Sequence, residues 1–367
     1  MHDVPTDTPV QLQRLVILYE PEAACRDRLM AHGATAEVAG EIAFYLAQAT
    51  DFAALVEPVT AAFAAVGVQV VCLPLDPPAA WLRLLDGPER RHSMVWCLTD
   101  GFAWYRGSFV SSMAALLDVP QFGSPPAAQH LCQDKFRCLA LAQALGVRTP
   151  PTVLVEDGRP LSPMAVLPTG APLFVKPNTL GAKLGIEQDS RAATVEDALT
   201  LTRRIHARYG DRALIQAWVP GRDVRVSCMD LGDGGQSLGL YEIATGAATG
   251  FPTLADSKRI TTLKAAGAAS GLEVAVRSLL GDPAAEAIEQ AARGIAAAVG
   301  LRDYFSFDFR LDPDGRPWFL EFEVCPAVTI YDFLTYLREH HATDLPAALA
   351  RAVPLAFTRR QHRVATS

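Results

Sequence analysis

The sequence predicts an α/β protein, α+β over several domains, on the strength of three observations. The chain has 367 residues, which is enough for two or three domains. Its first third alternates short β-rich runs with helical stretches, a pattern typical of a parallel sheet covered by helices. The remainder carries apolar strands separated by glycine- and proline-containing loops, and it includes a strong hairpin signal near residue 314.

The composition excludes several classes of function. Half of the residues are apolar and a fifth are charged, as in a folded globular protein. The formal net charge of -7 argues against nucleic-acid binding as the main role, because neutralising phosphates requires a basic face. No uncharged apolar run approaches the ~18 residues of a membrane helix. We therefore expect small-molecule partners, no nucleic acid and no membrane.

Cysteine usage predicts reduced thiols and a cytoplasmic location, since the seven cysteines include no C-x-x-C pair. No His/Cys group has zinc spacing, and the first 20 residues lack the basic start and apolar core of a signal peptide. Lysine is much rarer than arginine in this chain, so each lysine is a candidate for a position that requires a compact point charge. The lysines are Lys135, Lys176, Lys183, Lys258 and Lys264.

Residues 1–125 are predicted to form an N-terminal α/β domain. Its strands are "RLVILY" (Arg14–Tyr19), "VQVVCLPL" (Val68–Leu75) and "SMVWCLTDG" (Ser93–Gly101). One or two extra helices and the helical stretch "FAALVEPVTAAFAAVG" separate the first two strands. Strands that alternate with helices favour a parallel sheet. The proline-marked segment "GSPPAAQH" (Gly123–His130) is the boundary of this domain.

Residues 126–216 are predicted to form a central unit. The amphipathic helix "DKFRCLALAQALGV" stops near Gly146, and "RTPPTVLV" leads into a strand. A second strand, "LFVKP", precedes the small-residue loop "NTLGAKLG", and "RALIQAWVPG" is a third. Thr194 is expected to cap a helix that runs to about Tyr209, with Asp197 in the capping-box position.

Residues 217–367 are predicted to form a C-terminal unit that contains the hairpin "FSFDFRLDPDGRPWFLEFEV". If Asp-Gly is its two-residue turn, the register sets Asp308 directly opposite Glu321, with Glu323 one step along on the same face. The same register predicts the apolar pairs Phe307–Phe322, Phe309–Leu320 and Leu311–Trp318.

Two carboxylates that face each other across neighbouring strands destabilise the strand pairing unless their charge is screened or neutralised. Water screens them if this face is solvent-exposed and the aromatic face forms the core. A Mg²⁺ ion with few protein oxygens and several phosphate oxygens is a second answer. Arg310, on the same face, is a third. The hairpin alone leaves these alternatives open.

Three further motifs favour a phosphate-bearing ligand. "LFVKPNTLGAKLG" places Lys176 at the end of an apolar strand, before a loop whose glycines let backbone N–H groups approach phosphates. It is not a P-loop, because it lacks the G-x-x-x-x-G-K-[ST] pattern. "DKFR" supplies Lys135 upstream, and "LIQAWVPGRD" carries Gln216 and Asp223 on an edge suited to a purine and a ribose. Each motif is weak by itself.

In order and spacing these motifs resemble the ATP-grasp superfamily, most closely the D-alanine–D-alanine ligase-like carboxylate–amine ligases, over roughly Val68 to Thr329. The resemblance implies an ATP-grasp fold behind an N-terminal Rossmann-like domain, with ATP and two Mg²⁺ ions, or Mn²⁺, as cofactors. The implied metal ligands are Asp308, Glu321 and Glu323. The implied nucleotide-binding residues are Lys135, Lys176, Asn178, Gly181, Lys183, Gln216, Ala217, Val219 and Asp223.

The chain departs from the family pattern at several positions. Glu323 replaces an asparagine and adds a negative charge, and Ala182 replaces a serine in the closing loop. Ser306 stands where the dipeptide ligases have an arginine that stabilises the reacting oxyanion, and Ala327 replaces a glycine. The expected catalytic cations are Lys258, Arg259 and Arg310. The acid that binds the first substrate amine does not align, and its candidates are Glu20, Glu22 and Glu57.

The resemblance implies an ADP-forming ligase that joins a carboxylate to an amine through an acyl phosphate. Ser306 and Ala327 suit a terminal D-alanine carboxylate poorly, so amino-acid substrates of a specialised biosynthetic pathway are expected. A homodimer is also expected. The alternatives are a D-Ala–D-Ala ligase proper, a kinase or carboxylate–thiol ligase on the same nucleotide site, a non-catalytic ATP-binding module, and an α/β protein without nucleotide.

Overall fold

The computed structural model describes residues 10–50, 55–98, 107–232, 237–244, 250–256, 275–329 and 331–364. Within these ranges three sheets follow one another along the chain, one parallel and four-stranded, two antiparallel and five-stranded. Mixed helices and sheets confirm the predicted α/β, α+β class.

The N-terminal sheet is parallel, with β1 and β3 at its centre and strand order β2-β1-β3-β4. All three predicted strands are present, the first with the bounds that its β-rich run gives. The two extra helices predicted after it are α1 and α2. The elements are β1 (Arg14–Tyr19), α1 (Glu22–Ala31), α2 (Ala36–Thr50), α3 (Val56–Ala65), β2 (Gln69–Pro74), α4 (Pro78–Leu85), β3 (Ser93–Cys97), α5 (Gly107–Leu116) and β4 (Gln121–Phe122).

The central sheet is antiparallel, with order β6-β5-β9-β7-β8. The predicted cap is confirmed, because the Thr194 hydroxyl accepts a hydrogen bond from Asp197 N at 3.1 Å and the helix ends at Gly210 in the left-handed region. The elements are α6 (Pro126–Cys132), α7 (Lys135–Ala144), β5 (Thr152–Glu156), β6 (Arg159–Pro160), β7 (Leu173–Pro177), β8 (Arg191–Ala192), α8 (Val195–Tyr209) and β9 (Ala213–Ala217).

The C-terminal sheet is antiparallel, with order β12-β11-β10-β13-β14, so that β10 lies beside the predicted hairpin. This neighbour strand becomes important for the site. The elements are β10 (Arg222–Met229), β11 (Leu238–Ala244), β12 (Ala275–Ser278), α9 (Ala285–Val299), β13 (Tyr304–Leu311), β14 (Pro317–Glu323), α10 (Tyr331–His341) and α11 (Leu345–Val364).

The hairpin register agrees with the prediction at the carboxylates and differs near the turn. Asp308 pairs with Glu321, as predicted, and Phe307 pairs with Phe322. The turn is one residue longer than expected: Asp312 N donates to Arg316 O at 3.1 Å. The longer turn by itself would shift every residue pair between β13 and β14 by one position. A bulge at Leu320 reverses that shift, so Asp308 again lies opposite Glu321.

Two predicted apolar pairs are therefore wrong. Phe309 pairs with Phe319 rather than Leu320, and Leu311 pairs with Pro317 rather than Trp318. The extra residue on β14 turns Phe319 into the core, where it is fully buried against Phe309. Leu320 faces a cavity instead.

Helices from one part of the chain cover sheets of another. Helix α7 lies in the predicted central unit, yet its Cys138 and Leu139 belong to the apolar core beneath the C-terminal sheet with Phe305. Helices α1 and α2 share an apolar core with α8 and the central sheet, and α11 packs on the N-terminal sheet. No helix in the described part of the chain is long and apolar enough to cross a membrane.

Candidate active site

A cavity of about 220 Å³ lies between the central and C-terminal sheets. It collects almost all of the predicted nucleotide-binding residues, although they come from α7, three strands and two loops. Those that line it are Lys135, Lys176, Gly181, Lys183, Gln216, Ala217, Val219 and Asp223. Asp308, Glu321 and Arg310 line it as well. The sheets thus bring residues that are almost 190 positions apart to one cleft.

Two lysines form one wall of the cavity. Lys135 begins α7 and is almost fully buried; its Nζ donates to Leu180 O at 2.7 Å and lies 3.1 Å from Glu321 Oε2. Burial by itself would lower the pKa of Lys135, but the Glu321 carboxylate outweighs it and the pKa is raised. Burial lowers the pKa of Lys176, and the Lys135 charge lowers it further. Among the described residues Lys135 pairs with a carboxylate and Lys176 does not, so burial disfavours the charged form of Lys176.

The opposite wall carries the predicted carboxylates. Burial raises the pKa of Asp308 to about 7; Arg225 opposes this shift, whereas Glu323 and Glu321 reinforce it. Burial also acts to raise the pKa of Glu321, but Lys135 and Lys176 reverse the direction and lower it. The two facing carboxylates consequently differ: the one beside the lysines is held ionised, and the other is destabilised when charged.

Two residues that sequence reasoning missed complete this wall. Arg225 on β10 pairs in register with Asp308, and its guanidinium contacts Glu323 and Ser306. Asp332 at the start of α10 is almost fully buried, and its Oδ2 lies 3.2 Å from Arg225 Nε. The signal in the sequence was an arginine within the apolar strand "RDVRVSCM", but nothing local shows which strand lies beside it.

The far end of the cavity suits a flat apolar group above a polar edge. Arg310 Nη1 lies 2.6 Å from Asp223 Oδ1, and its guanidinium stacks 4.6 Å from the Trp218 ring. Gln216 Nε2 donates to Thr152 Oγ1 at 2.9 Å. Burial raises the pKa of Asp223, with Arg310 opposing. Arg310, predicted as catalytic, thus lies at this end beside Asp223.

The predicted closing loop folds over the lysine wall. Leu184 N donates to Gly181 O at 2.9 Å, and Ala182 and Lys183 both have positive φ. Burial lowers the pKa of Lys183, with the Arg225 charge acting in the same direction. Asn178 does not line the cavity: it lies behind it, where its Oδ1 accepts from Phe136 N at 2.9 Å.

Other predicted residues lie elsewhere. Lys258 and Arg259 fall outside the described residues. Glu20, a candidate for the substrate amine, is buried and accepts two hydrogen bonds from Arg28, at 2.7 and 2.9 Å. Neither Glu22 nor Glu57 lines the cavity.

The donor set fits a hard divalent cation that is completed by a ligand. Among the described residues no group of three or more His, Cys, Asp or Glu is arranged to hold a metal ion by itself. Asp308 and Glu321 nevertheless present paired carboxylates to the cavity. Magnesium is commonly held by one or two carboxylates together with substrate phosphates rather than by a protein cage.

The fold and this cleft define an ATP-grasp protein. Solved structures agree: a D-alanine–D-alanine ligase from Bacillus anthracis, complexed with ATP, superposes with a TM-score of 0.66, 14% identity, and coverage of 96% of this chain and 99% of that chain. D-alanyl-alanine synthetase A from Vibrio cholerae gives a TM-score of 0.62 at 16% identity, with coverage of 95% and 99%.

Sequence comparison narrows the class. Residues 142–349 match the family model described as D-ala D-ala ligase C-terminus. The D-alanine–D-alanine ligase of Halorhodospira halophila is 31% identical over 247 residues, which are 67% of this chain and 73% of that protein. The Gloeobacter violaceus enzyme is 26% identical over 311 residues, 83% and 90% of the two chains. The chain belongs to the D-alanine–D-alanine ligase family, and it is an ATP-dependent, ADP-forming ligase that makes C–N bonds.

Proposed function

We propose that the chain forms an amide bond between an amino-acid carboxylate and an amine, through an acyl phosphate made at the expense of ATP. The supporting observation is the Lys135–Glu321 contact of 3.1 Å, which places lysine and carboxylate walls on one cavity. Fixed cations beside a site for divalent ions are what phosphoryl transfer requires, because charge accumulates on the transferring oxygens.

The nucleotide would lie along the cavity with its phosphates at the lysine wall. Lys135, Lys176 and Lys183 would bind phosphate oxygens, helped by backbone N–H groups near Gly181. The backbone of Ala217 and Val219 and the Gln216 amide would contact the base, and Asp223 would accept from the ribose. Asn178 would act indirectly, since it ties the loop to the first turn of α7.

Asp308, Glu321 and Glu323 are the proposed ligands for divalent cations, Mg²⁺ or Mn²⁺, with two ions expected from the sequence. When bound, such ions neutralise the developing charge on the phosphates. The chain's own contribution is the geometry: the β13–β14 register holds Asp308 against Glu321, and Lys135 keeps Glu321 ionised.

The reaction consists of two displacements. The substrate carboxylate oxygen bonds to the γ-phosphorus, and the bond to the β–γ bridging oxygen breaks, releasing ADP. The amine nitrogen then bonds to the acyl carbon, inorganic phosphate leaves with the C–O electron pair, and the nitrogen loses a proton. Lys176 and Lys183 offset the charge of the first step, and the loop that carries Lys183 excludes water that would hydrolyse the acyl phosphate.

We propose amino-acid substrates of a specialised biosynthetic pathway, because the chain departs from its family beside the metal-binding wall. Ser306 and Ala327 take the places of an arginine and a glycine, and the arginine that is present comes from β10 instead. Synthesis of D-Ala–D-Ala itself is the competing reading for a C–N ligase, and the other transfers that the resemblance left open, to a hydroxyl or a thiol, are outcomes of the assay. The division into domains 1–125, 126–216 and 217–367 and the homodimer are parts of the same proposal.

An ADP-release assay with Mg²⁺, ATP and pooled amino acids and amines tests this function. We expect release that depends on both a carboxylate and an amine, and none with Asp308→Asn. Release with D-alanine alone would identify the D-Ala–D-Ala reaction. Release with a thiol or hydroxyl acceptor would identify one of the other transfers, and ATP binding without release under any pool would contradict catalysis.

A further inference from the structure

Arg225 occupies the middle of the carboxylate wall. It lies on β10, and the sheet register places it directly opposite Asp308 and two residues from the Ser227–Ser306 pair. Its guanidinium contacts the Glu323 carboxylate, and Nη2 lies 3.2 Å from Ser306 Oγ. Nε lies 3.2 Å from Asp332 Oδ2 and 3.7 Å from Asp308 Oδ1. A single cation therefore contacts three acids.

This wall needs an internal cation even without a ligand. Asp308, Glu321, Glu323 and Asp332 converge on it, and Lys135 contacts Glu321. Asp332 has a side-chain exposure of 1%, so water does not screen it. Like charges this close are destabilising unless a positive charge lies among them. Arg225 supplies that charge permanently, whereas a dissociable ion would supply it only when bound.

The third predicted metal ligand is engaged by this arginine. Asp308 and Glu321 line the cavity, but Glu323 does not. Glu323 Oε2 accepts from both Arg225 and the Ser306 hydroxyl, the latter at 3.2 Å. A metal ion at that oxygen would have to displace a charge-assisted hydrogen bond to a fixed guanidinium.

We infer that Arg225 supplies from within the protein the charge that a second divalent ion would supply, so that this chain takes one divalent ion, on Asp308 and Glu321, with its nucleotide. Glu323 then serves as a positioning residue that orients Arg225, together with Ser306 and Asp332. The inference rests on the proposed nucleotide site and changes its ion count.

Counting bound Mn²⁺ by electron paramagnetic resonance, with ATP and no other substrate, tests the inference without relying on turnover. We expect a single ion per wild-type chain. Glu323→Gln should retain that ion with an affinity within a few-fold of wild type, whereas Glu321→Gln and Asp308→Asn should each weaken it by about tenfold or more. Arg225→Gln frees Glu323 and should admit a second ion or tighten the first.

Arg222→Gln is the matched control, because Arg222 lies on the same strand and pairs with Glu242 outside the cavity. It should leave the count and the affinity unchanged. Two ions in the wild-type chain, or loss of Mn²⁺ in Glu323→Gln comparable to Glu321→Gln, would overturn the one-ion inference while leaving the nucleotide site intact. An Arg225→Gln chain that is folded by circular dichroism and binds Mn²⁺ as wild type does would also overturn it. Failure of the wild-type chain to bind Mn²⁺ with ATP would overturn both proposals.

Discussion

Arg225 on β10 and Asp308 on β13 face each other across two neighbouring antiparallel strands, with Nε 3.7 Å from Oδ1. The pair joins β10 to the hairpin that carries the predicted metal ligands. Arg225 lowers the pKa of Asp308, but burial and the neighbouring acids prevail and raise it. The site thus contains a carboxyl group that is costly to ionise until a ligand arrives.

Asp308→Asn should stabilise the ligand-free protein at neutral pH. The pKa of Asp308 is raised from 3.8 to about 7, so the folded chain holds a proton that the unfolded chain has released between these values. Its contribution to the free energy of unfolding therefore falls as the pH rises from 4 to 7. We expect a gain of about 1–2 kcal/mol at pH 8, allowing for the partial exposure of the side chain.

Urea denaturation of both proteins at pH 5 and pH 8, without metal or nucleotide, measures this effect. The gain should be clearly larger at pH 8 than at pH 5. A variant that is no more stable than wild type at pH 8 would show that Asp308 is not strained in the ligand-free fold.

Lys135→Met and Lys176→Met should both strongly reduce ADP release but should differ in stability. Removing Lys135 leaves Glu321 without its ion-pair partner, and we expect a loss of about 2 kcal/mol. Burial lowers the pKa of Lys176, which means that its charged form is unfavourable in the ligand-free fold. The Lys176→Met protein should therefore be as stable as wild type or more so. Either loss should reduce turnover by about a hundredfold or more.

Thermal unfolding and the ADP-release assay separate these outcomes. Arg137→Met, an exposed position on the helix that Lys135 begins, is the control and should leave both quantities unchanged. Equal destabilisation by the two lysine variants would argue against the interpretation that Lys135, and not Lys176, is the ion-pair partner of Glu321.

The bulge at Leu320 predicts opposite consequences for two adjacent residues. Phe319→Ala empties a fully buried aromatic position and should cost about 3 kcal/mol or more. Leu320→Ala removes a half-buried cavity wall, so we expect a loss of about 1 kcal/mol with weaker ATP binding. Chemical denaturation and calorimetric titration with ATP measure both effects. A larger loss of stability for Leu320→Ala than for Phe319→Ala would instead support a register without the bulge, in which Leu320 faces the core.

Helix α5 should carry part of the proposed homodimer interface. Phe109 and Leu116 lie two turns apart on it, with exposed fractions of 66% and 77%. Leu116→Arg should shift the chain towards a monomer in light scattering after gel filtration. Leu280→Arg, at a residue that is 94% exposed on another part of the chain, is the control and should not. A monomeric wild-type protein would remove the homodimer from the proposal.

Local sequence determined much of this protein. Alternating polar and apolar residues gave the two hairpin arms, the Thr194 hydroxyl and Gly210 delimited α8, and charge opposition drew attention to Asp308 and Glu321. These features depend on side chains a few residues apart, or on two strands joined by a short turn, so backbone geometry links them directly.

Tertiary structure alone decided the rest. The turn is one residue longer than the Asp-Gly motif predicts, and a bulge at Leu320 compensates for it. The position of that bulge depends on which aromatic side chain the core accepts, so the turn motif does not reveal it. Arg225 and Asp332 reach the site because β10 lies next to β13 and α10 starts beneath them. Strand order and helix packing arise from apolar burial summed over the whole molecule. The residues next to Arg225 and Asp332 in the sequence therefore do not indicate that these two side chains reach the site.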